Sequence, residues 1–181
     1  MLPTPLLDET AREALRRAAA ALDAAEAGGR AHDISLALAD VAACYRGLKA
    51  TASAESYYEA ALRWARSSGS IDQVVGLLCD LCETAVALAE AQADHLPGSG
   101  RAARERARDH AFEASTLAGS VADLGWEATV LLRISDVLDR CGDRDDATQL
   151  QVRALQLMSG SMGKNRTDHD GQPGVARRTD A

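Results

Sequence analysis

The sequence predicts an all-α fold of about seven helices, arranged as helix pairs that stack on one another. Alanine and leucine dominate the 181 residues and aromatic residues make up only 3% of them, a composition that favours helix. The prolines leave two long stretches uninterrupted, because they occur only at Pro3, Pro5, Pro97 and Pro173. Within those stretches, apolar residues recur three and four positions apart, as they do on one face of a helix.

Three stretches repeat one pattern of two successive helix faces. The first is Leu38-x-x-Val41-Ala42-x-x-Tyr45 followed by Ala54-x-x-x-Tyr58-x-x-Ala61. A looser second copy is Leu78-x-x-Leu81-Cys82-x-x-Ala85 with Ala107-x-x-x-Ala111-x-x-Ala114. The third is Leu131-x-x-Ile134-Ser135-x-x-Leu138 followed by Gly142 and Ala147-x-x-x-x-x-x-Ala154. Small residues at fixed places allow a second helix to approach closely, so the three units are predicted to stack as an array.

Helix start and stop signals place each element in order. The first helix is predicted from about Asp8 to Ala27, because Gly28-Gly29 stops it. The second begins after Asp33 as N-cap and reaches about Leu48. The third covers about Ala52 to Ser67 before Gly69, and the fourth runs from after Asp72 to about Ala93.

The loop around Pro97 separates these four helices from three more. They are predicted at about Arg101–Gly119, Trp126–Cys141 and, after a short Gly142-Asp143 turn, Arg144–Met158. The helical domain is thus predicted over residues 8–158, preceded by a lead at 1–7. Residues 159–181 lack apolar periodicity and are predicted to be a disordered C-terminal tail.

These motifs resemble tetratricopeptide (TPR) repeats of the longer-period variety, with roughly 40 residues in each unit. The resemblance covers about Asp8 to Met158, and it places Asp40 over Asp80 at a spacing of 40. The chain departs from the pattern at Lys49, where a turn glycine is usual, and at Gln151, where an aromatic is usual. The resemblance implies a right-handed superhelical stack of antiparallel helix pairs whose first helices line a concave groove.

In such a fold, the residues one helical step from the core stripe are expected to line the groove. They are Ala39, Ala43 and Arg46 in the first unit, Cys79, Glu83 and Val86 in the second, and Leu132, Asp136 and Asp139 in the third, with Arg133 at the edge. This lining is apolar at its centre and carries isolated charges of both signs. It suits an amphipathic helix or an extended apolar segment of another protein. A solvated helix face is the other reading of the same residues.

The charge and hydropathy of the chain exclude several classes of partner. A net charge of −7 argues against nucleic acid, because phosphate backbones attract basic patches. The densest basic run, Arg101 to Arg108, is interrupted by Glu105 and reads as a solvated helix start. No apolar run has the roughly 18 residues of a membrane span. The N-terminus lacks the pattern of a signal peptide. We therefore expect a cytoplasmic protein that does not bind a membrane.

Candidate chemical sites are weak. Cys79-x-x-Cys82 lies inside a helical pattern and Cys44 and Cys141 are distant in sequence, so packing is favoured over a zinc or redox site. Four scattered histidines show no metal-ligand spacing, and no nucleophile elbow or phosphate-binding loop occurs. Trp64 and Trp126 near unit boundaries are either buried between units or exposed anchors for a partner. We expect no cofactor, no metal and no catalytic activity.

The sequence therefore predicts a non-catalytic protein–protein interaction module, an adaptor or scaffold, that binds a partner segment in its groove. Two alternatives stay open. A small secretion-type chaperone matches the size and acidity, although such a chaperone would gain from a more apolar groove. A self-associating structural module, and hence a homodimer, would close through the apolar end of the last helix around Leu150, Leu155 and Leu157.

Overall fold

The computed structural model describes residues 7–95 and 98–167, with side chains for 9–94 and 98–160. In these ranges the chain forms seven α-helices and no strand, which confirms the predicted all-α class. Their bounds are α1 (Leu7–Gly28), α2 (Ala31–Gly47), α3 (Thr51–Ser68), α4 (Ile71–His95), α5 (Arg101–Ala118), α6 (Leu124–Cys141) and α7 (Arg144–Thr167). Of the predicted lead, residues 1–6 lie outside the described residues and Leu7 already belongs to α1.

Three helices, α2, α4 and α6, begin two or three residues earlier than predicted. α2 starts at Ala31, so Asp33 is not its N-cap; it lies in the first turn and forms an ion pair with Arg30. α4 starts at Ile71, one residue before Asp72. In α6 the cap is Asp123, whose carboxylate accepts a hydrogen bond from the Trp126 amide at 2.9 Å. A carboxylate is favourable at either place, since the first turn of a helix attracts negative charge.

The turn after α6 shows how the short connections are made. Gly142 has a φ of 94° and donates its amide to the carbonyl of Asp139 at 2.9 Å. The next amide, that of Asp143, donates to Leu138 at 2.9 Å. These two bonds satisfy carbonyls that the helix end leaves open, and the left-handed φ costs glycine little. Lys49 takes the same role after α2 with a φ of 59°, where the sequence lacks the usual glycine.

The predicted end of the last helix at Met158 was wrong, because α7 continues to Thr167. Of the C-terminal tail predicted over residues 159–181, residues 168–181 lie outside the described residues. Once a helix has formed, each added residue gains a backbone hydrogen bond without a new nucleation cost, so α7 continues beyond the apolar pattern.

Each helix packs against the next along the chain. The most extensive contacts join α2 to α3, α4 to α5 and α6 to α7, the three pairs that the repeats predict, and α4 also contacts α6. The largest fully buried side chains include Tyr58, Leu78, Leu131 and Ile134. One face of α5 is built of alanines, namely Ala103, Ala107, Ala111, Ala114 and Ala118, all of them buried. Small side chains let α5 lie close to its neighbours, as the repeat pattern indicates.

Candidate interaction surface

α2, α4 and α6 each expose a stripe of residues. Ion pairs between the three helices show that these stripes lie side by side on one face. We call this surface the central face. It consists of Leu36, Ala39, Ala43 and Arg46 in α2, Gln73, Gly76, Asp80, Glu83 and Ala87 in α4, and Leu132, Arg133, Asp136 and Arg140 in α6. In α2 and α4 these residues follow at intervals of three or four, as residues on one helical side do. In α6, Arg133, Asp136 and Arg140 follow the same spacing and Leu132 lies next to Arg133.

Four charged side chains at the middle of the central face form a closed cluster. Arg133 donates Nε to Glu83 Oε1 at 2.5 Å and Nη2 to Asp80 Oδ1 at 2.7 Å. From the other side, Arg46 donates Nη1 to Asp80 Oδ1 at 3.3 Å and to Glu83 Oε2 at 3.1 Å. The two carboxylates of α4 thus bridge α2 and α6. Two positive and two negative charges make the cluster neutral.

The cluster is partly sheltered from water, which strengthens its hydrogen bonds. Its side chains are between 25% and 38% exposed. Hydrogen bonding to Glu83 and Asp80 raises the pKa of Arg133 despite its partial burial. Below the cluster, the ring centre of Tyr58 lies 5.6 Å from the Arg46 guanidinium carbon. Burial, with a further contribution from Asp80, raises the pKa of Tyr58 to about 12.

Small residues flank this charged centre. Ala39 and Ala43 lie on α2, Ala87 lies on α4, and Gly76 lies one helical turn before Asp80. A Cβ atom added at Gly76 would meet nothing within 4 Å, so the space above this part of α4 is open. Leu132, which is 41% exposed, adds an apolar contact beside Arg133. The central face therefore allows a partner backbone to approach α4 closely near a defined pattern of charge.

The structure brings three of the predicted groove residues together in the cluster, Arg46, Glu83 and Arg133. The others that reach the surface are Ala39, Ala43, Leu132, Asp136 and Asp139. Asp136 and Asp139 are exposed and lie 3.9 Å from Arg140 and 3.7 Å from Arg144 respectively, measured between charged atoms.

Cys79 and Val86 do not line the surface as predicted, because they are buried in the core with 2% and 1% exposure. α4 is contacted by α3, α5 and α6, so its accessible stripe is narrower than that of a helix with fewer neighbours. The prediction took the residue one helical step after each core position, and in α4 this selects Cys79 and Val86 beside the accessible stripe, which runs through Gly76, Asp80 and Glu83.

Asp80 is the cluster residue that the sequence prediction did not include. Its signal was present, since it lies three residues before Glu83 and aligns with Asp40 in the repeat. Carboxylates three residues apart share a helix side, where together they can hold two arginines.

The basic run at the start of α5 is distributed over ion pairs. Arg101 pairs with Glu105 of the same helix at 2.9 Å. Arg106 donates two hydrogen bonds to the carboxylate of Glu55 in α3, and Arg108 pairs with Asp143 in the turn before α7. Arg106 and Arg108 thereby join α5 to neighbouring elements.

The four cysteines are free, and three of them are buried. Burial raises the pKa of Cys79 to about 11, and burial also raises the pKa of Cys82 and of Cys141. Protonated thiols are poor nucleophiles and poor metal ligands. Across residues 9–94 and 98–160, no group of three or more His, Cys, Asp or Glu side chains is placed to hold a metal ion. Packing is therefore the role that the structure supports for Cys79 and Cys82.

None of the helices in the described part of the chain combines the length and apolar character that crossing a membrane requires. No family model matches this chain. No curated protein matches it either.

The solved structures do contain a similar fold. This chain is similar in structure to BtubC (BKLC) from P. vanneervenii, with a TM-score of 0.62. The two sequences are 16% identical over an alignment that covers 96% of this chain and 63% of BtubC. This chain therefore spans about 63% of the length of that protein. At this level of identity the likeness shows a shared all-helical fold and nothing about function.

Proposed function

We propose that this chain is a non-catalytic protein-interaction module of the TPR-like kind, an adaptor or scaffold that binds a segment of another protein on the central face. Its helix pairs would form an antiparallel superhelical stack with α2, α4 and α6 on the concave side. The predominant contacts within the pairs α2–α3, α4–α5 and α6–α7 support this arrangement, as does the fold likeness to BtubC.

One observation carries the proposal, namely the charge cluster that joins the first helices of all three pairs on one accessible face. Because Asp80 and Glu83 already neutralise Arg46 and Arg133, a partner would gain little net Coulomb energy there. Such a cluster instead favours a partner whose own polar groups match its pattern of charges. It thereby sets the position of the partner along the face. Affinity would come from apolar burial against Leu132 and Leu36 and from close approach over the small residues.

The test is a native pull-down from a cell extract. It compares the proteins that the wild-type chain recovers with those that an Ala43→Glu/Leu132→Glu variant recovers. Both side chains are accessible, so the substitutions leave the core intact. A Phe112→Glu variant is the control, since Phe112 is 46% exposed on α5, away from the central face. We expect a stoichiometric protein to be recovered by the wild type and the control and to be lost by the double variant.

Charge reversal at Arg46 and Arg133 would be a less specific test. It would place two new carboxylates beside Asp80 and Glu83, and the repulsion would separate α2 and α6 from α4. Loss of a partner would then report damage to the fold as well as to the surface.

Recovery of the same partner by the Ala43→Glu/Leu132→Glu variant would exclude the central face as its binding site.

Self-association is the second candidate, because α7 exposes apolar side chains on its outer side. Val152, Leu155 and Met158 are 48%, 60% and 41% exposed, whereas Leu150 and Leu157 are partly buried against the core. Terminal units of repeat arrays usually present a polar outer face, so this face is suited to contact with a second copy. A dimer in sedimentation that dissociates on Leu155→Glu substitution would establish this function.

A further inference from the structure

Outside the central face, a groove lies between α1 and α3 and is floored by α2. It has a volume of about 510 Å³. Its lining residues are Arg12, Leu15, Arg16, Ala19, Leu22 and Asp23 from α1, Val41 and Tyr45 from α2, and Tyr57 from α3. We call it the α1–α3 groove. A groove between two helices over a third has the shape that receives another helix.

The α1 wall of this groove is incompletely packed. α1 makes its main contacts with α2, and of its described side chains only Ala18 is buried. Leu15 and Leu22 are half-buried, and the exposed Ala19 lies between them along the groove. A helix of 22 residues held by so small a buried surface would gain apolar contacts from an occupant.

The opposite wall is aromatic. Tyr57 stacks on Tyr45 with the ring centres 5.2 Å apart and the planes at 13°. Ala60 and Trp64 follow Tyr57 at intervals of three and four on the same side of α3. Trp64 is 42% exposed, so it is not buried between units. Tyrosine, tryptophan and arginine are the residues that most often dominate protein interfaces.

The α1 edge of the groove is positive at one end and negative at the other. Arg12 and Arg16 lie near the start of α1, and Asp23 lies seven residues after Arg16, roughly 10 Å further along the axis. Arg16 pairs with Glu13 at 2.7 Å, but both side chains are more than half exposed, so that pair contributes little. A complementary occupant is acidic beside Arg16 and basic beside Asp23.

We propose that the α1–α3 groove binds an amphipathic α-helix of another protein that runs parallel to α1. Its first turns carry a carboxylate next to Arg16, and a basic residue two turns later meets Asp23. Acidic residues are favoured in the first turn of a helix and basic residues in its last, so the same charge order also stabilises the occupant. Its apolar stripe packs between Leu15 and Leu22 on one wall and Tyr57 and Trp64 on the other. This surface is separate from the central face.

The experiment selects binders to the whole chain from a displayed library of helical peptides in which surface positions are randomised. Two matched pairs of variants then locate the binding site. Ala19→Arg fills the groove, whereas Ala20→Arg places the same side chain on an exposed position outside it. Arg16→Glu reverses a groove charge, whereas Arg17→Glu reverses an exposed neighbour outside it.

We expect the selected peptides to share an apolar stripe with acidic residues at its N-terminal end. Their affinity should fall at least about tenfold for Ala19→Arg and about fivefold for Arg16→Glu, and stay unchanged for the two controls. The proposal is overturned if no selected peptide is weakened more by Ala19→Arg than by Ala20→Arg. It is also overturned if the wild type sediments as a dimer that Ala19→Arg converts to a monomer, because a second copy then occupies the groove.

Discussion

Arg153 of α7 donates Nη2 to Oε1 of Glu127 in α6 at 2.5 Å, and Glu127 is almost completely buried. A buried carboxylate is stable only with a partner, and the described contacts of Glu127 place Arg153 in that role. The pair therefore holds the last two helices in register. The repeat motifs do not contain either residue.

Removal of the arginine should leave a buried charge without its partner. We expect Arg153→Leu to lower the free energy of unfolding by roughly 2–3 kcal/mol. The double variant Glu127→Leu/Arg153→Leu should recover most of that loss, because it removes the buried charge as well. Urea unfolding measures both. Equal stability of Arg153→Leu and wild type would mean that Glu127 does not depend on this contact.

Gly100, at the start of α5, lies where two backbones meet. A Cβ atom there would be 2.4 Å from the carbonyl oxygen of Ala89 in α4. That oxygen belongs to the backbone, so it cannot move aside as the end of a flexible side chain could. We expect Gly100→Ala to lower the free energy of unfolding by at least about 1–3 kcal/mol.

Gly76 provides the matched control for that substitution. A Cβ atom meets nothing within 4 Å there, so Gly76→Ala should stabilise α4 by roughly 0.5–1 kcal/mol. The two melting temperatures should shift in opposite directions. Shifts of the same sign would contradict the close approach at Gly100.

Lys49 has a left-handed φ of 59°, which a residue with a Cβ adopts only at a cost. Lys49→Gly should therefore raise the free energy of unfolding by roughly 0.5–1 kcal/mol, after part of the gain is lost to the greater freedom of glycine in the unfolded chain. The reverse change, Gly142→Lys at a φ of 94°, should lower it by a similar or larger amount. A destabilised Lys49→Gly variant would show that the lysine side chain makes a stabilising contact.

His110 in α5 should make stability depend on pH. Burial lowers its pKa below the ordinary 6.5, although Glu113, Glu59, Glu55 and Asp109 act in the opposite direction. The unfolded chain then binds the proton more readily than the folded chain, so the free energy of unfolding falls as the pH drops through and below 6.5.

Unfolding in urea between about pH 7.5 and about pH 5.5 measures this dependence. In His110→Gln the slope over that range should be smaller than in the wild type. An unchanged slope would assign the dependence to other groups. A stability that rises on acidification would contradict the burial effect on His110.

The cysteines differ in accessibility, and a thiol reagent should distinguish them. Cys44 is half-buried, whereas Cys79, Cys82 and Cys141 are buried and burial raises the pKa of each of the three. We expect one fast-reacting thiol in the native protein, absent from Cys44→Ser, and four after denaturation. Rapid labelling of Cys79 or Cys82 in the native protein would contradict their burial and would favour a redox role for the Cys-x-x-Cys motif.

Much of the helical layout could be predicted because its signals are local. Gly28-Gly29, Ser68-Gly69 and Gly142 end helices close to where the structure ends them. The starts were less accurate, since a carboxylate stabilises a helix equally well as N-cap or in the first turn, and the sequence does not separate the two places. The end of α7 was missed because backbone hydrogen bonding continues without an apolar pattern.

The surface was predicted in part. Arg46 and Glu83 were selected by their helical step and Arg133 as an edge residue, and the structure brings the three together. The pairing of both arginines with Asp80 requires knowing how α2 and α6 flank α4. Cys79 and Val86 were assigned to the same surface and are buried, because the width of the accessible stripe depends on the number of neighbouring helices.

By itself, the sequence determined that this chain is helical, where most helices end and which face of each is apolar, because periodicity and turn chemistry act within a few residues along the chain. Only the tertiary structure decided which charges meet and which apolar residues remain exposed, as Trp64 and Leu155 do. These outcomes depend on contacts between residues 26 to 53 positions apart, such as Glu127 with Arg153 and Asp80 with Arg133. No local sequence pattern encodes contacts between residues so far apart in the chain, because these contacts follow from how the helices pack.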